Sequence, residues 1–187
     1  MIGELSKEAN VVPIAYHVDY WNYLGWADPF SSPAWTQRQM AYVHAFHLEG
    51  PYTPQAVVNG STQLIGSDAR GLRTLIRNAP AAEAAVDLRT APGGRVHVSA
   101  SSKRPNVDVI LAIVEDGIVT PVKRGENAGR SLRNAFVVRR MQRIGPLPFD
   151  SDVSLELDPA WKNVRVVAFA QDPRTLRIYG AASVVVR

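Results

Sequence analysis

The sequence predicts an α/β unit in residues 1–80, followed by an all-β, sandwich-like domain of antiparallel strands in residues 86–187. The first observation is that short apolar runs alternate with helical patterns up to residue 80. The second is that only strand-like runs, separated by Gly, Pro and Asp turns, follow beyond that point. An alanine-rich stretch at residues 78–85 lies between the two patterns and marks the predicted boundary.

The α/β interpretation depends first on the run Val11–Val18, which is short, apolar and typical of a strand buried in a parallel sheet. A helix is predicted after it, because Ser32 suits a helix N-cap and Pro33 suits the first turn. The pair Gly50-Pro51 is expected to end that helix.

A hairpin and a further helix complete the predicted first part. Strands at residues 56–58 and 62–65 flank Asn59-Gly60, which is a strong hairpin signal. Asp68 then suits the start of a helix that ends before Pro80.

The second part is predicted to contain strands alone. The predicted strands lie at residues 96–100, 107–114, 118–122, 136–144, 153–157, 164–170 and 178–186. This number of short strands with turn residues between them is typical of a β-sandwich.

The chain contains no cysteine among its 187 residues. Disulfides, thiolate metal sites and cysteine nucleophiles are therefore excluded in this chain. No apolar run reaches the about 20 residues that a membrane-spanning helix needs. The first residues lack the charged-then-apolar pattern of a signal peptide. We predict no cofactor, no metal site and no catalytic residue.

The positive charge of the chain, which is +4 overall, comes from its second part. Residues 1–80 hold 5 basic and 6 acidic side chains, whereas residues 81–187 hold 16 and 11. One hypothesis is therefore a basic β domain that binds an anionic polymer. Nucleic acid is not the predicted partner, because only Phe136 interrupts the basic stretch 123–143 as a stacking residue.

Several blocks of the sequence carry a resemblance to a known family. The blocks are His17-Val18-Asp19-Tyr20-Trp21, Leu24–Phe30, Arg38-Gln39, Tyr52–Gly60, and Arg124–Arg130 with Asn134 and Val137–Arg139. In combination they resemble a family of uncharacterised secreted bacterial proteins, domain of unknown function 1223, with a thioredoxin-like fold. The resemblance implies a periplasmic or secreted location.

The resemblance further implies that residues 1–80 form an incomplete thioredoxin-like unit. Family members carry a signal peptide, a first strand and a Cys-x-x-Cys upstream of the region that matches. Residues 1–5 correspond to the tail of the helix that bears those cysteines. We therefore expect strands 11–18 and 56–58 to present unpaired backbone groups where the first strand would lie.

The predicted substrate-binding residues are Tyr52, Thr53, Pro54, His17, Asp19 and Trp21. By resemblance, Pro54 follows a cis peptide bond and shapes a groove, and we expect all six residues to line one concave surface. Because side chains alternate along a strand, His17 and Asp19 point the same way. We interpret them as a packed, hydrogen-bonded pair, with a general base or a metal ligand as the alternative.

The sequence thus leaves three hypotheses for function. The first is a redox-incompetent protein that binds a peptide or protein partner near Pro54. The second is a thiol-disulfide oxidoreductase whose longer chain carries an upstream Cys-x-x-Cys. The third is the basic β domain with an anionic polymer as its partner.

Overall fold

The computed structural model describes residues 2–8, 10–125 and 127–187. Its helices are α1 (Ile2–Leu5), α2 (Pro33–Ala45) and α3 (Ala69–Arg77), with a 3₁₀ turn at Asn22–Leu24. Its strands are β1 (Gln55–Val58), β2 (Thr62–Ile65), β3 (Ala84–Ala91), β4 (Arg95–Ser102), β5 (Asp108–Glu115), β6 (Ile118–Pro121), β7 (Ser131–Asn134), β8 (Val137–Pro146), β9 (Phe149–Ser154), β10 (Val164–Gln171) and β11 (Ile178–Val185).

Two larger sheets and two small ribbons contain these strands. The larger sheets have the orders β11-β10-β5-β8 and β3-β4-β9, and the ribbons pair β1 with β2 and β6 with β7. Every ladder between named strands is antiparallel. In the four-stranded sheet, β10 and β5 are the two central strands.

The four-stranded sheet is buried on both faces, and β10 explains why. Val166 and Ala168 pack into a cluster with Val98 and other residues of the three-stranded sheet. The alternate residues Val167 and Phe169 pack into a second cluster that contains Trp35 of α2. A strand covered on both faces requires apolar residues in succession, and seven of the eight β10 residues are accordingly buried, including Gln171.

The predicted fold class, an incomplete thioredoxin-like α/β unit followed by an all-β sandwich-like domain, is wrong. The described chain is mostly β, in several antiparallel sheets, and no thioredoxin-like α/β arrangement is evident in it. Residues 11–18 belong to no ladder, and their one sheet-like contact is an isolated parallel bridge between Ala15 and Val137. The hairpin of β1 and β2 forms a separate ribbon rather than part of a parallel sheet.

Backbone chemistry explains why residues 11–18 do not form the predicted strand. Ala15 donates its N–H to Phe136 at 2.7 Å and accepts from Val138 at 2.9 Å. The next contact toward the N-terminus would need an N–H from Pro13, which proline lacks. In the other direction, the carbonyl of His17 already accepts from the N–H of Ser32 at 3.2 Å. The apolar side chains of this run are nevertheless packed, because Val12, Ile14 and Tyr16 lie against the second cluster.

Local signals placed the helices of the first part more successfully. The Oγ atom of Ser32 accepts from the N–H of Ala34, and Pro33 opens α2 as predicted. The helix ends at Ala45, several residues before Gly50. Among the described residues, no helix combines the length and the apolarity that a membrane span requires.

The region around residue 80 contains more regular structure than expected. Strand β3 begins at Ala84, inside the alanine-rich stretch, and its N-terminal residue is buried. The second cluster joins residues from both predicted parts, since Trp35 lies beside Val114 and Phe169. The division into residues 1–80 and 86–187 stays a prediction.

Candidate functional site

A cleft of about 1590 Å³ lies between the N-terminal third of the chain and the four-stranded sheet. Its floor includes Val167 and Phe169 of β10 and Ile178 of β11. Extended backbone borders it in two places, at residues 10–18 and along β1. We call these borders the segment wall and the hairpin wall.

The segment wall presents backbone groups that have no partner in the described part of the chain. Along an extended chain the N–H and C=O groups of alternate residues point to opposite edges. Ala15 directs both groups to β8, so Ile14, Tyr16 and Val18 direct theirs to the other edge. Within the described chain, no hydrogen bond reaches the backbone of Ile14, Tyr16 or Val18. All three residues line the cleft.

The hairpin wall has the same property. Gly66 donates its N–H to the carbonyl of Pro54 at 2.7 Å. In an antiparallel pair, alternate residues bond to the neighbouring strand, so the even-numbered residues of β1 direct their backbone groups to β2. Gln55 and Val57 therefore direct their backbone groups away from β2, and both line the cleft. At the end of this edge, the carbonyl of Asn59 accepts from the N–H of Ile178 at 2.8 Å.

The predicted substrate-binding residues lie around one end of the cleft. The indole N–H of Trp21 donates to Oγ1 of Thr53 at 3.1 Å, so the two predicted segments meet directly. The Thr53–Pro54 peptide bond is cis, as the resemblance implied. Trp21, Thr53, Pro54 and His17 line the cleft.

Tyr52 and Asp19 do not line the cleft and instead support its end. The carbonyl of Tyr52 accepts from the side-chain amide of Gln39 at 2.8 Å, and its hydroxyl donates to Gln63. The carboxylate of Asp19 accepts from the hydroxyl of Thr36 at 2.5 Å, which ties the loop to α2. Ligand binding by any of the six residues stays a prediction.

His17 pairs with Asp28 rather than with Asp19, so the predicted His17–Asp19 pair is wrong. The Nδ1 atom of His17 lies 2.6 Å from Oδ2 of Asp28, and Oδ1 accepts from the N–H of Phe30 at 2.9 Å. Burial alone would raise the pKa of Asp28, but the hydrogen bonds from His17 and Phe30 outweigh it and hold that pKa below its ordinary value. A loop turn, not strand alternation, brings this carboxylate to the histidine.

The pair gives a prediction for pH-dependent stability. The substitution Asp28→Asn is expected to lower the free energy of unfolding at pH 7 by about 1–3 kcal/mol, because a partly buried acceptor is weakened. The lowered pKa means that Asp28 stabilises the fold fully above the unfolded value of about 3.9. That contribution is lost as the pH falls through the folded value. Urea denaturation at pH 7 and pH 3 should show a smaller difference from wild type at pH 3.

A matched control for this prediction is Asp87→Asn. Asp87 pairs with Arg89 at 2.6 Å, but both side chains are exposed. An exposed pair stabilises by at most about 1 kcal/mol. Equal losses of stability for the two variants, or a larger Asp28 effect at pH 3, would contradict the assignment.

Sequence reasoning gave no role to Arg38, although it lines the floor of the cleft. The guanidinium lies 5.2 Å from the ring centre of Tyr16, 5.4 Å from Tyr42 and 5.7 Å from Phe169. Burial raises the pKa of Tyr16 to about 12, although the positive charge of Arg38 acts in the opposite direction. The available signal was its spacing: an arginine between Trp35 and Tyr42 lies on the buried face of α2.

Three of the seven basic residues in the stretch 123–143 form ion pairs within the protein. Arg139 pairs with Glu115 at 3.4 Å, Arg143 pairs with Asp108 at 2.7 Å, and Arg140 pairs with Glu156. These pairs reduce the free positive charge that binding of an anionic polymer would use, and that hypothesis stays a prediction. Within residues 2–8, 10–125 and 127–187, no group of three His, Asp or Glu side chains is arranged to hold a metal ion.

Comparison with known families and structures places the chain. Residues 1–171 match the model of a family described as "Protein of unknown function (DUF1223)". The chain belongs to the DUF1223 family. The resemblance also implied a thioredoxin-like fold and secretion, and the comparisons support neither.

Two solved structures are similar to this DUF1223 chain. A crystal structure of an Agrobacterium tumefaciens protein is 27% identical with a TM-score of 0.77, over 98% of this chain and 84% of that one. A domain of the outer membrane lipoprotein Omp28 from Porphyromonas gingivalis is 16% identical with a TM-score of 0.32, over 59% of this chain and 93% of that one. A comparison with curated proteins gives no match.

Proposed function

We propose that this protein binds an extended polypeptide segment of a partner in the cleft, as a strand between the segment wall and the hairpin wall. The observation that carries the proposal is that two backbone edges without partners among the described residues border the same cleft, at Ile14, Tyr16 and Val18 and at Gln55 and Val57. Peptide recognition by strand addition uses such an edge for affinity and neighbouring pockets for selectivity.

The spacing of the wall groups favours a polypeptide over a small molecule. Residues two apart along a strand repeat their N–H and C=O groups every about 6.6–6.8 Å. A peptide backbone presents complementary groups at the same repeat on each of its edges. The apolar floor at Val167, Phe169 and Ile178 would receive alternate side chains of that peptide.

Thiol chemistry is not part of the proposal. Exchange requires a thiolate, and the sequence has no cysteine. The ion pairs of Arg139, Arg140 and Arg143 argue against the anionic-polymer hypothesis, because they neutralise three of the seven basic residues in the stretch 123–143. The periplasm or the outside of the cell stays the proposed location, on the family resemblance alone.

Binding can be tested with a short model peptide in which residue types alternate along the sequence. The probe is a fluorescein-labelled, C-terminally amidated peptide, Lys-Thr-Val-Thr-Gln-Thr-Val-Thr-Val-Lys, titrated by fluorescence polarisation. We expect a Kd below about 1 mM. Hydrogen exchange should slow at the amides of Ile14, Tyr16, Val18, Gln55 and Val57 when the peptide is bound. A peptide N-methylated at alternate residues should not bind, since it lacks the donors.

Two proline variants separate the cleft edge from the hairpin itself. Val57→Pro removes an N–H that faces the cleft and none that bonds β2. Ile65→Pro makes the same change in the paired strand, at an exposed residue on the edge away from the cleft. The proposal requires weaker binding by Val57→Pro and unchanged binding by Ile65→Pro. Equal affinities for both variants, or no slowing of exchange at the five amides, would overturn it.

A further inference from the structure

The side chain of Arg38 makes polar contacts only to neutral groups. Its Nη2 atom donates to Oε1 of Gln171 at 3.2 Å and lies 3.4 Å from the hydroxyl of Tyr42. Its Nε atom is buried and has no hydrogen-bond partner among the described residues. Arg38 lines the cleft, and the residue as a whole is only half-buried.

The charge of Arg38 lacks a counter-charge in the described chain. No carboxylate oxygen there lies within 4.0 Å of the guanidinium. The rings of Tyr16, Tyr42 and Phe169 surround it instead. Removing a charge from water without a paired opposite charge is unfavourable, so the site favours an anion.

The other charged residues that line the cleft also favour an anionic ligand. Each lining carboxylate already has a basic partner: Asp28 has His17, Glu8 has Arg73 and Glu83 has Arg177. The lining arginines Arg77 and Arg124, like Arg38, have no carboxylate partner among the described residues. The free charge of the cleft is therefore positive.

We infer that Arg38 receives a carboxylate of the bound polypeptide, which identifies the ligand class as a peptide with an acidic group at the cleft floor. The inference rests on the proposed peptide-binding function. An arginine fork presents parallel N–H donors that match a carboxylate, and charge-assisted hydrogen bonds are stronger than neutral ones. The carboxylate comes either from an Asp or Glu side chain or from a free C-terminus.

Three peptides distinguish these sources on the unaltered protein. The first is the amidated probe with its central Gln, the second has Glu in place of that Gln, and the third keeps Gln but has a free C-terminal carboxylate. We expect one of the two carboxylate peptides to bind at least about tenfold more tightly than the first. A gain for the second peptide identifies a side chain, and a gain for the third identifies a chain end.

Two protein variants locate the effect. Arg38→Met should abolish the difference in affinity between the amidated Gln peptide and the carboxylate peptide, whereas Arg70→Met, on the exposed side of α3, should retain that difference. Urea denaturation checks that both variants fold. If Arg38→Met does not fold, Arg38→Lys replaces it in the test. A smaller gain in affinity is then expected, because lysine lacks the paired N–H donors of the guanidinium.

The outcomes separate this inference from the proposed function. If all three peptides bind equally, or if Arg38→Met retains the gain, Arg38 does not receive the carboxylate, although peptide binding stands. If none of the three peptides binds above background, the proposed function is wrong and the inference falls with it.

Discussion

Replacing Leu111 by alanine is expected to lower the free energy of unfolding by about 2–5 kcal/mol. Leu111 lies in β5, is only 2% exposed and belongs to the cluster that joins the two larger sheets. This cluster contains residues of both sheets, such as Val98 and Val166. Central strands cannot move to fill the space, because β5 is bonded to β10 on one side and to β8 on the other. The loss therefore includes the cavity as well as the buried surface.

Thermal and urea unfolding measure this effect. At about 2–4 °C per kcal/mol for a chain of this size, the melting temperature should fall by about 4–20 °C. The matched control is Val119→Ala, which also truncates the side chain of a strand residue, but at a position that is 59% exposed. Its effect should stay within about 0.5 kcal/mol. Similar losses for the two variants would show that the cluster between the sheets is not the main stabilising core.

Replacing Gly60 by alanine is expected to destabilise the protein by about 2–4 kcal/mol. A Cβ atom on Gly60 would lie 1.9 Å from the carbonyl oxygen of Leu176 and 3.0 Å from the Cα atom of Arg177. Both neighbours are backbone atoms, so the hairpin or the turn before β11 must shift. The φ angle of +61° adds strain, because an L side chain rarely adopts that conformation.

Gly94→Ala separates these two causes. Gly94 has a similar φ of +69°, but nothing lies within 4 Å of the Cβ atom that alanine would add. It should therefore lose only the conformational part, about 1 kcal/mol. Urea denaturation of both variants measures the difference. If Gly60→Ala were no less stable than Gly94→Ala, the close approach of the hairpin to residues 176–177 would be incorrect.

Local signals determined what the sequence could predict. The N-cap at Ser32 and the turn at Asn59-Gly60 act through neighbouring atoms, and both were located correctly. Strand β10 was also recognisable, because its apolar run requires burial on two faces. Strand β3 was missed, since its alanines carry little strand preference and it is held by pairing with β4.

Long-range partners could not be predicted. The run at residues 11–18 has the composition of a buried strand, yet Ala15 bridges to Val137 of β8, 122 residues away, and Pro13 limits the pairing to this one bridge. His17 found Asp28 through a loop whose path no periodicity describes. Arg38 was identified as part of a matching block, but its isolation from carboxylates depends on which strands cover α2.

The exposure of the tryptophans gives this protein two separable optical reporters. Trp21 and Trp26 line the cleft, and Trp21 is 46% exposed where it donates to Thr53, whereas Trp35 and Trp161 are 9% and 7% exposed in the core clusters. An occupant of the cleft would shield Trp21 from a soluble quencher such as iodide and shift its emission to shorter wavelength. The buried indoles would keep their emission until the sheets come apart, so occupancy and unfolding can be followed in the same unlabelled sample.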